Sequence, residues 1–175
     1  GENGAGKSTL MKILMGIEQA DHGHVVLFDQ RVHFNAPAQA LKSGIAMIHQ
    51  ELYPVPNMTI AENLLLGREI SKFGIVSTKR QEQETLKWLE MMNLRVSPHA
   101  KMKDLSISET QIVEIAKALS YGSRVIIFDE PTSAITSSEV DRLFEVILEL
   151  KSKGISIIYI SHKLDELPLI ADRVQ

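Results

Sequence analysis

Two clusters in this sequence have residue types and spacings that could do chemistry on a phosphate. The first is Gly1-Glu2-Asn3-Gly4-Ala5-Gly6-Lys7-Ser8. It fits the pattern of a glycine, four residues, Gly-Lys and a hydroxyl side chain that cradles nucleotide phosphates. Gly4 and Gly6 free the backbone to curl successive N–H groups around an anion. A helix starting near Gly6 and running through Thr9 to Leu14 would aim its N-terminal N–H groups at the same charge. Lys7 would reach the β- and γ-phosphates, and the Ser8 hydroxyl would bind Mg²⁺. The second cluster is Asp129-Glu130, directly after the apolar run Val125-Ile126-Ile127-Phe128. Four apolar residues there specify a strand buried on both faces. Two adjacent carboxylates at its end are costly without a cationic partner. A metal-bound nucleotide is that partner, so the two clusters together specify nucleotide hydrolysis.

The remaining segments read as the frame that positions these clusters. A helix from the phosphate loop ends at Gly16, a C-terminal cap. Residues 24–28 and 31–34 flank Asp29-Gln30 and predict a short antiparallel hairpin turning there. His22, His24 and His33 lack compact ligand spacing and read as strand and turn residues, not as a metal site. A short helix over 37–43 stops at Gly44. Ile45-Ala46-Met47-Ile48 predicts a buried strand whose C-terminal end delivers His49-Gln50-Glu51. Open α/β sheets place ligand groups at such ends, and the Gln50 amide oxygen could bind Mg²⁺ or a water.

The middle region has few strand signals and reads as a helical insertion. Thr59 and Glu62 have capping-box spacing before a helix over 59–66. Residues 67–74 read as irregular. Thr78 opens a further helix, with Gln81 in the reciprocal capping position and an apolar stripe of Leu86, Leu89 and Met92. Trp88 beside that stripe reads as packing. Two capping boxes then compete, Ser106 with Glu109 and Ser108 with Gln111, before a helix whose stripe is Ile112, Ile115, Ala116 and Leu119. A capped helix start is also an anion site. Thr136 and Glu139 cap an amphipathic helix built on Val140, Leu143, Phe144, Ile147 and Leu150 and stopped by Gly154. Ile155 to Ile160 is the last strand, and it delivers Ser161-His162 to the crevice already carrying Asp129 and Glu130.

Composition sets outer limits. A chain of 175 residues with 44% hydrophobic and 23% charged residues fits one domain with a sizeable core. A net charge of −3 carries no basic footprint for nucleic acid. Cysteine is absent, which excludes a disulfide scaffold and a thiol nucleophile. No apolar run approaches the roughly 20 residues a membrane helix needs. The sequence starts inside the phosphate-loop pattern, where a buried strand should precede it. The expectation is a partial domain over 1–175 that lacks its N-terminal strands, with a helical subdomain at about 52–110.

On these motifs the chain resembles the ATP-hydrolysing subunit of ABC transporters. The segments Gly1 to Thr9, Ile48-His49-Gln50-Glu51-Leu52, Thr59-Ile60-Ala61-Glu62-Asn63 with Leu66-Gly67-Arg68-Glu69, and Ile160-Ser161-His162-Lys163 look like the monosaccharide-importer branch. That branch usually carries two cassettes in one chain, and this chain would match the first. The resemblance implies an α/β P-loop NTPase fold, with a mostly parallel sheet flanked by helices, a small antiparallel piece and a helical insertion. It implies ATP and Mg²⁺ as cofactors. Gly1, Asn3, Gly4, Ala5, Gly6, Lys7, Ser8 and Thr9 would hold the phosphates, and Ser8, Gln50 and Asp129 would serve the metal. Glu130 would polarise the attacking water and His162 would contact the γ-phosphate, with Gln50 completing the catalytic set. Ser106 and Ser108 would belong to the signature that acts on ATP held by the opposing cassette, and residues 133–136 would cross that interface.

The resemblance also implies partners: a second cassette, a membrane permease, and indirectly a periplasmic or surface sugar-binding protein, at the cytoplasmic face of the membrane, with no nucleic acid. Two positions depart from the family pattern. Ile107, Ser108 and Glu109 replace the last three residues of Leu-Ser-Gly-Gly-Gln, and Thr136 stands where many relatives have Asp. The family's adenine-stacking aromatic lies upstream. The alternatives are a soluble, non-transport ABC ATPase, or a nucleotide-binding cassette with a degenerate composite site. Residues 1–175 alone are expected to hydrolyse ATP weakly or not at all.

Overall fold

The computed structural model describes residues 6–72 and 74–174. A three-stranded parallel sheet forms its centre: β3 (Ile45–Ile48), β6 (Val125–Asp129) and β7 (Ser156–Ile160), in the order β3-β6-β7. The registers pair Ile48 with Phe128 and Asp129 with Ile160, so all three strands end at one edge.

The central strand shows why this sequence makes a layered fold. Side chains alternate across a strand. Val125 and Ile127 face one cluster with Met11, Met15, Phe34, Ala40 and Ile45. Ile126 and Phe128 face a larger cluster with Ile112, Ile115, Leu143 and Ile147. Each face is therefore covered by helices. On the first lie α1 (Lys7–Leu14) and α2 (Pro37–Lys42); on the second lie α5 (Ile107–Ser120) and α6 (Ser137–Ser152). A strand buried on both faces is apolar throughout, and β6 is fully buried up to its last residue.

Between α1 and α2, β1 (Val25–Leu27) and β2 (Gln30–Val32) form an antiparallel hairpin. Its turn is Phe28-Asp29, one residue earlier than the sequence suggests. Leu27 pairs with Gln30, and Phe28 and Asp29 take φ of 50° and 63°. Those are the left-handed conformations of a two-residue hairpin turn. Phe28 is a poor turn residue by propensity, but the Arg124 guanidinium stacks 3.8 Å from its ring centroid. At Gly16, φ is +69°, and a Cβ would come within 2.7 Å of the Phe34 Cβ. Only glycine lets α1 stop and pass so close to the segment between β2 and α2.

The segment between β3 and β6 holds α3 (Ile60–Leu64), a hairpin of β4 (Ser71–Lys72) and β5 (Ile75–Val76), α4 (Thr78–Met91), a 3₁₀ turn over Met102–Asp104, and α5. Four expectations need correction here. The helix capped by Thr59 is shorter than expected, ending at Leu64. Part of the 67–74 stretch pairs as a small hairpin rather than remaining irregular. Gln81 does not cap α4; it is buried in the packed face of that helix, and Ser77 is the N-cap residue without a side-chain bond. Leu86 is exposed, and the buried stripe is Gln81, Thr85 and Leu89, followed by Met92. Trp88 packs on the core as expected and donates its indole N–H to Glu84. The short α7 (Leu167–Ile170) closes the described chain.

Candidate functional site

The parallel register dictates where the site lies. Residues after Ile48, Asp129 and Ile160 emerge side by side, so His49-Gln50, Glu130 and Ser161-His162 share the C-terminal edge of the sheet. Gln50 and His162 are exposed, and Asp129 and Glu130 are half-buried. The Glu130 N–H donates to the Ile160 carbonyl at 2.9 Å, which locks the two strand ends together. Glu130 takes φ of 46°, a strained setting for a residue with a side chain. Its carboxylate Oε2 lies 3.1 Å from His162 Nδ1.

Gly1, Asn3, Gly4 and Ala5 lie outside the described residues. Gly6 is the N-cap residue of α1 at φ 81°, and its carbonyl accepts the Leu10 N–H at 2.9 Å. Glycine at the N-cap position offers no side chain of its own to the first N–H groups of this helix. Lys7, Ser8 and Thr9 form the first turn, with Ser8 and Thr9 exposed.

Electrostatics join α1 to β6. Burial and the Glu130 charge push the Asp129 carboxyl up from its ordinary value, while the charges of His49 and Lys7 pull it back. Lys7 and Asp129 therefore act on each other across the edge of the sheet. Two carboxylates held together and partly desolvated form a donor set that a cation would relieve. This is the fit expected of a divalent metal with oxygen ligands.

The start of α5 resolves the two competing caps. Ser106 is the N-cap residue: its Oγ accepts the Glu109 N–H at 3.2 Å, and Glu109 Oε2 accepts the Ser106 N–H at 2.9 Å. The Glu109 carboxylate is thus committed to the cap. Ser108 and Gln111 do not form a box. Ser108 is buried, its hydroxyl lies 3.1 Å from the Ser106 hydroxyl, and it hydrogen-bonds Glu139 at the start of α6. Ser106 is the exposed member of the pair. At α6 the expected cap is present, with Glu139 Oε2 accepting from the Thr136 N–H and hydroxyl.

Several neighbours of the site gave no sign in the sequence. Gln111 is buried and donates through Nε2 to the Pro131 carbonyl at 2.6 Å, tying α5 to the residue after Glu130. Behind Ser161, the buried carboxylate of Glu166 accepts hydrogen bonds from Tyr159 and Ser161. No hydropathy pattern or capping spacing marks these contacts.

A family model described as ABC transporter matches residues 1–133. Over 99% of its length the chain is 55% identical to a putative ribose/galactose/methyl galactoside import ATP-binding protein of Geobacillus kaustophilus, covering 35% of that protein. It is 48% identical to a galactose/methyl galactoside import ATP-binding protein of Clostridium tetani, over 99% of this chain and 35% of the relative. It is 47% identical to a ribose import ATP-binding protein of Rhodopirellula baltica, over 99% of this chain and 34% of the relative. The chain spans about a third of the length of these curated relatives. Among solved structures, an ATP-binding cassette of an ABC transporter in its ADP conformation superposes with a TM-score of 0.81 at 32% identity, over 96% of this chain and 70% of that one. A nucleotide-free cassette from an ABC transporter gives 0.81 at 30% identity, over 98% and 72%. A family match over residues 1–133, with likeness in sequence and fold along nearly the whole chain, places this protein in the ABC transporter family, among its ATP-binding cassettes.

Proposed function

We propose that this chain is the ATP-hydrolysing part of a sugar importer, within a longer protein that docks on a membrane permease. One observation carries the hydrolytic reading: Glu130 meets His162 at the sheet edge where β6 also ends in Asp129, within electrostatic reach of Lys7 at the start of α1. The names of the relatives carry the sugar-import reading.

In this reading Lys7 and the N–H groups at the start of α1 bind the β- and γ-phosphates of ATP. Ser8, Gln50 and Asp129 would hold Mg²⁺, which would supply charge neutralisation on the phosphate oxygens. Phosphoryl transfer asks the protein for positioning and charge stabilisation more than for covalent chemistry. Glu130 Oε2 orients the attacking water and takes up its proton. His162 Nδ1 stands 3.1 Å from the Glu130 carboxylate, and a ring protonated on both nitrogens would hold Glu130 through Nδ1–H and donate Nε2–H to the γ-phosphate. Ser106, as the exposed N-cap residue of α5, presents a helix N-terminus to ATP on an opposing cassette. Ser108 supports that cap from inside. Closure of two cassettes around ATP, and reopening after hydrolysis, drives the permease.

The same reading makes residues 52–110 the helical subdomain that receives the permease. It puts the cassette at the cytoplasmic face of the membrane, with a sugar-binding protein delivering substrate on the other side. The test uses the full-length protein with its permease. Glu130→Gln should lower ATP turnover by about a hundredfold or more, the range of a lost general base. Unchanged turnover would reject Glu130 as the base.

A further inference from the structure

Glu166 is 5% exposed, an unusual setting for a carboxylate. It is fully partnered. Tyr159 donates to Oε2 at 2.8 Å, Ser161 donates to Oε2 at 3.0 Å, and the Thr132 hydroxyl is a third partner. The Lys163 ammonium stands 3.6 Å from Oε1. Burial alone would push this carboxyl up, but the bonds from Thr132, Tyr159 and Ser161 and the Lys163 charge outweigh it and hold it below its ordinary value.

The partners are not scattered. Thr132 follows Glu130 by two residues, and Ser161 immediately precedes His162. Lys163 adds two links, donating its ammonium to the Thr132 carbonyl at 3.0 Å and its backbone N–H to Ser161 Oγ at 3.0 Å. One buried carboxylate thus clamps the loop carrying Glu130 to the loop carrying His162. The His162–Glu130 contact itself is exposed on the histidine side, at 60%. An exposed ion pair fixes little geometry alone. The rigidity has to come from behind it, and a fully satisfied buried polar network supplies it.

We infer that Glu166 is a positioning residue for ATP hydrolysis, holding the Glu130 and His162 loops in the register that sets their side-chain contact. This rests on the hydrolytic reading above. It assigns Glu166 no contact with nucleotide.

The test uses the full-length protein with its permease. Glu166→Gln keeps the shape but removes the charge and turns one acceptor into a donor facing hydroxyls. It should lower kcat about tenfold while KM for ATP and nucleotide Kd stay within about twofold, the pattern of an interaction that matters only in the transition state. Tyr159→Phe removes one strut and should lower kcat about threefold with the same split. In a His162→Ala background, Glu166→Gln should cost less than about twofold further, because its effect runs through the residue already removed. A purely structural role would instead multiply the two losses or lower nucleotide affinity with kcat, and either result overturns the inference. A wild-type kcat in both single variants overturns it as well. Absence of ATP turnover in the wild type would overturn the hydrolytic reading and this inference together, whereas normal wild-type turnover with unaffected variants overturns only the inference.

Discussion

His162 Nδ1 and Glu130 Oε2 stand 3.1 Å apart, joined from the ends of two adjacent parallel strands. Neither residue is placed by chance. Asp129 pairs with Ile160 in the ladder, so the next residues of each strand must emerge together. Removing the ring should loosen the carboxylate without emptying the phosphate cradle. His162→Ala is expected to lower kcat about tenfold to a hundredfold and leave ATP affinity within about threefold, since a charge-stabilising donor is lost at the reacting end only. Steady-state ATPase assays with a nucleotide-binding titration check both numbers. A loss confined to affinity would contradict the assignment.

Lys7 predicts the opposite split. In the proposed reading its charge acts on the phosphates before and during the reaction, so Lys7→Ala should weaken ATP binding about tenfold or more, the scale of a charge-assisted hydrogen bond. Fluorescent-nucleotide titration of the full-length protein measures it. Retained affinity would separate Lys7 from the phosphate site.

Asp129, as the proposed metal ligand, should trade stability for function. Burial and Glu130 disfavour its charge when no cation is bound. Asp129→Asn should therefore leave the metal-free protein as stable as the wild type or more so, by up to about 1 kcal/mol, while Mg²⁺-dependent turnover falls at least about a hundredfold. Thermal unfolding without Mg²⁺ and assays with it give the pair of values. Destabilisation of the metal-free protein would contradict the reading of Asp129 as a charge that its surroundings disfavour on balance.

The Ser106 cap is a local stability element. Ser106→Ala should cost about 1 kcal/mol, seen as roughly fivefold faster hydrogen exchange in the first turn of α5. The frame cap at Thr136 should be unaffected. Unchanged exchange at α5 would show that the Glu109 arm holds the turn unaided.

Glu166 fixes the sign of one pH effect. Its carboxyl lies below the ordinary glutamate value of 4.5 in the fold. A depressed carboxyl stabilises the native state above 4.5 and loses that contribution as the pH falls through its lower native value. The thermal midpoint of the wild type should exceed that of Glu166→Gln near pH 7, and the gap should shrink below pH 4.5. A gap that widens on acidification would contradict the shift.

Much of this frame was legible in the sequence because local signals and tertiary packing agree. Ile45–Ile48 is the strand its apolar run specifies, and Thr59, Ser106 and Thr136 each start a helix with the expected glutamate three residues on. The misreadings have physical reasons. Phe28 turns the hairpin because Arg124, far along the chain, stacks on its ring. Gln81 and Thr85 occupy the buried face of α4 where Leu86 was expected, since the packing of neighbouring helices and not hydropathy chose that face. Glu130 and His162 were legible as residues at strand ends. The Glu166 clamp was not, because Thr132, Tyr159 and Ser161 converge on it only in the folded chain.

The identity of the nucleotide retained after mixing with Mg²⁺-ATP tests the central claim most directly. In the full-length Glu130→Gln protein, rapid quench and separation should recover the bound nucleotide as intact ATP, because Lys7 still binds the phosphates while no carboxylate activates the water. Recovery of ADP at the wild-type rate would contradict the account.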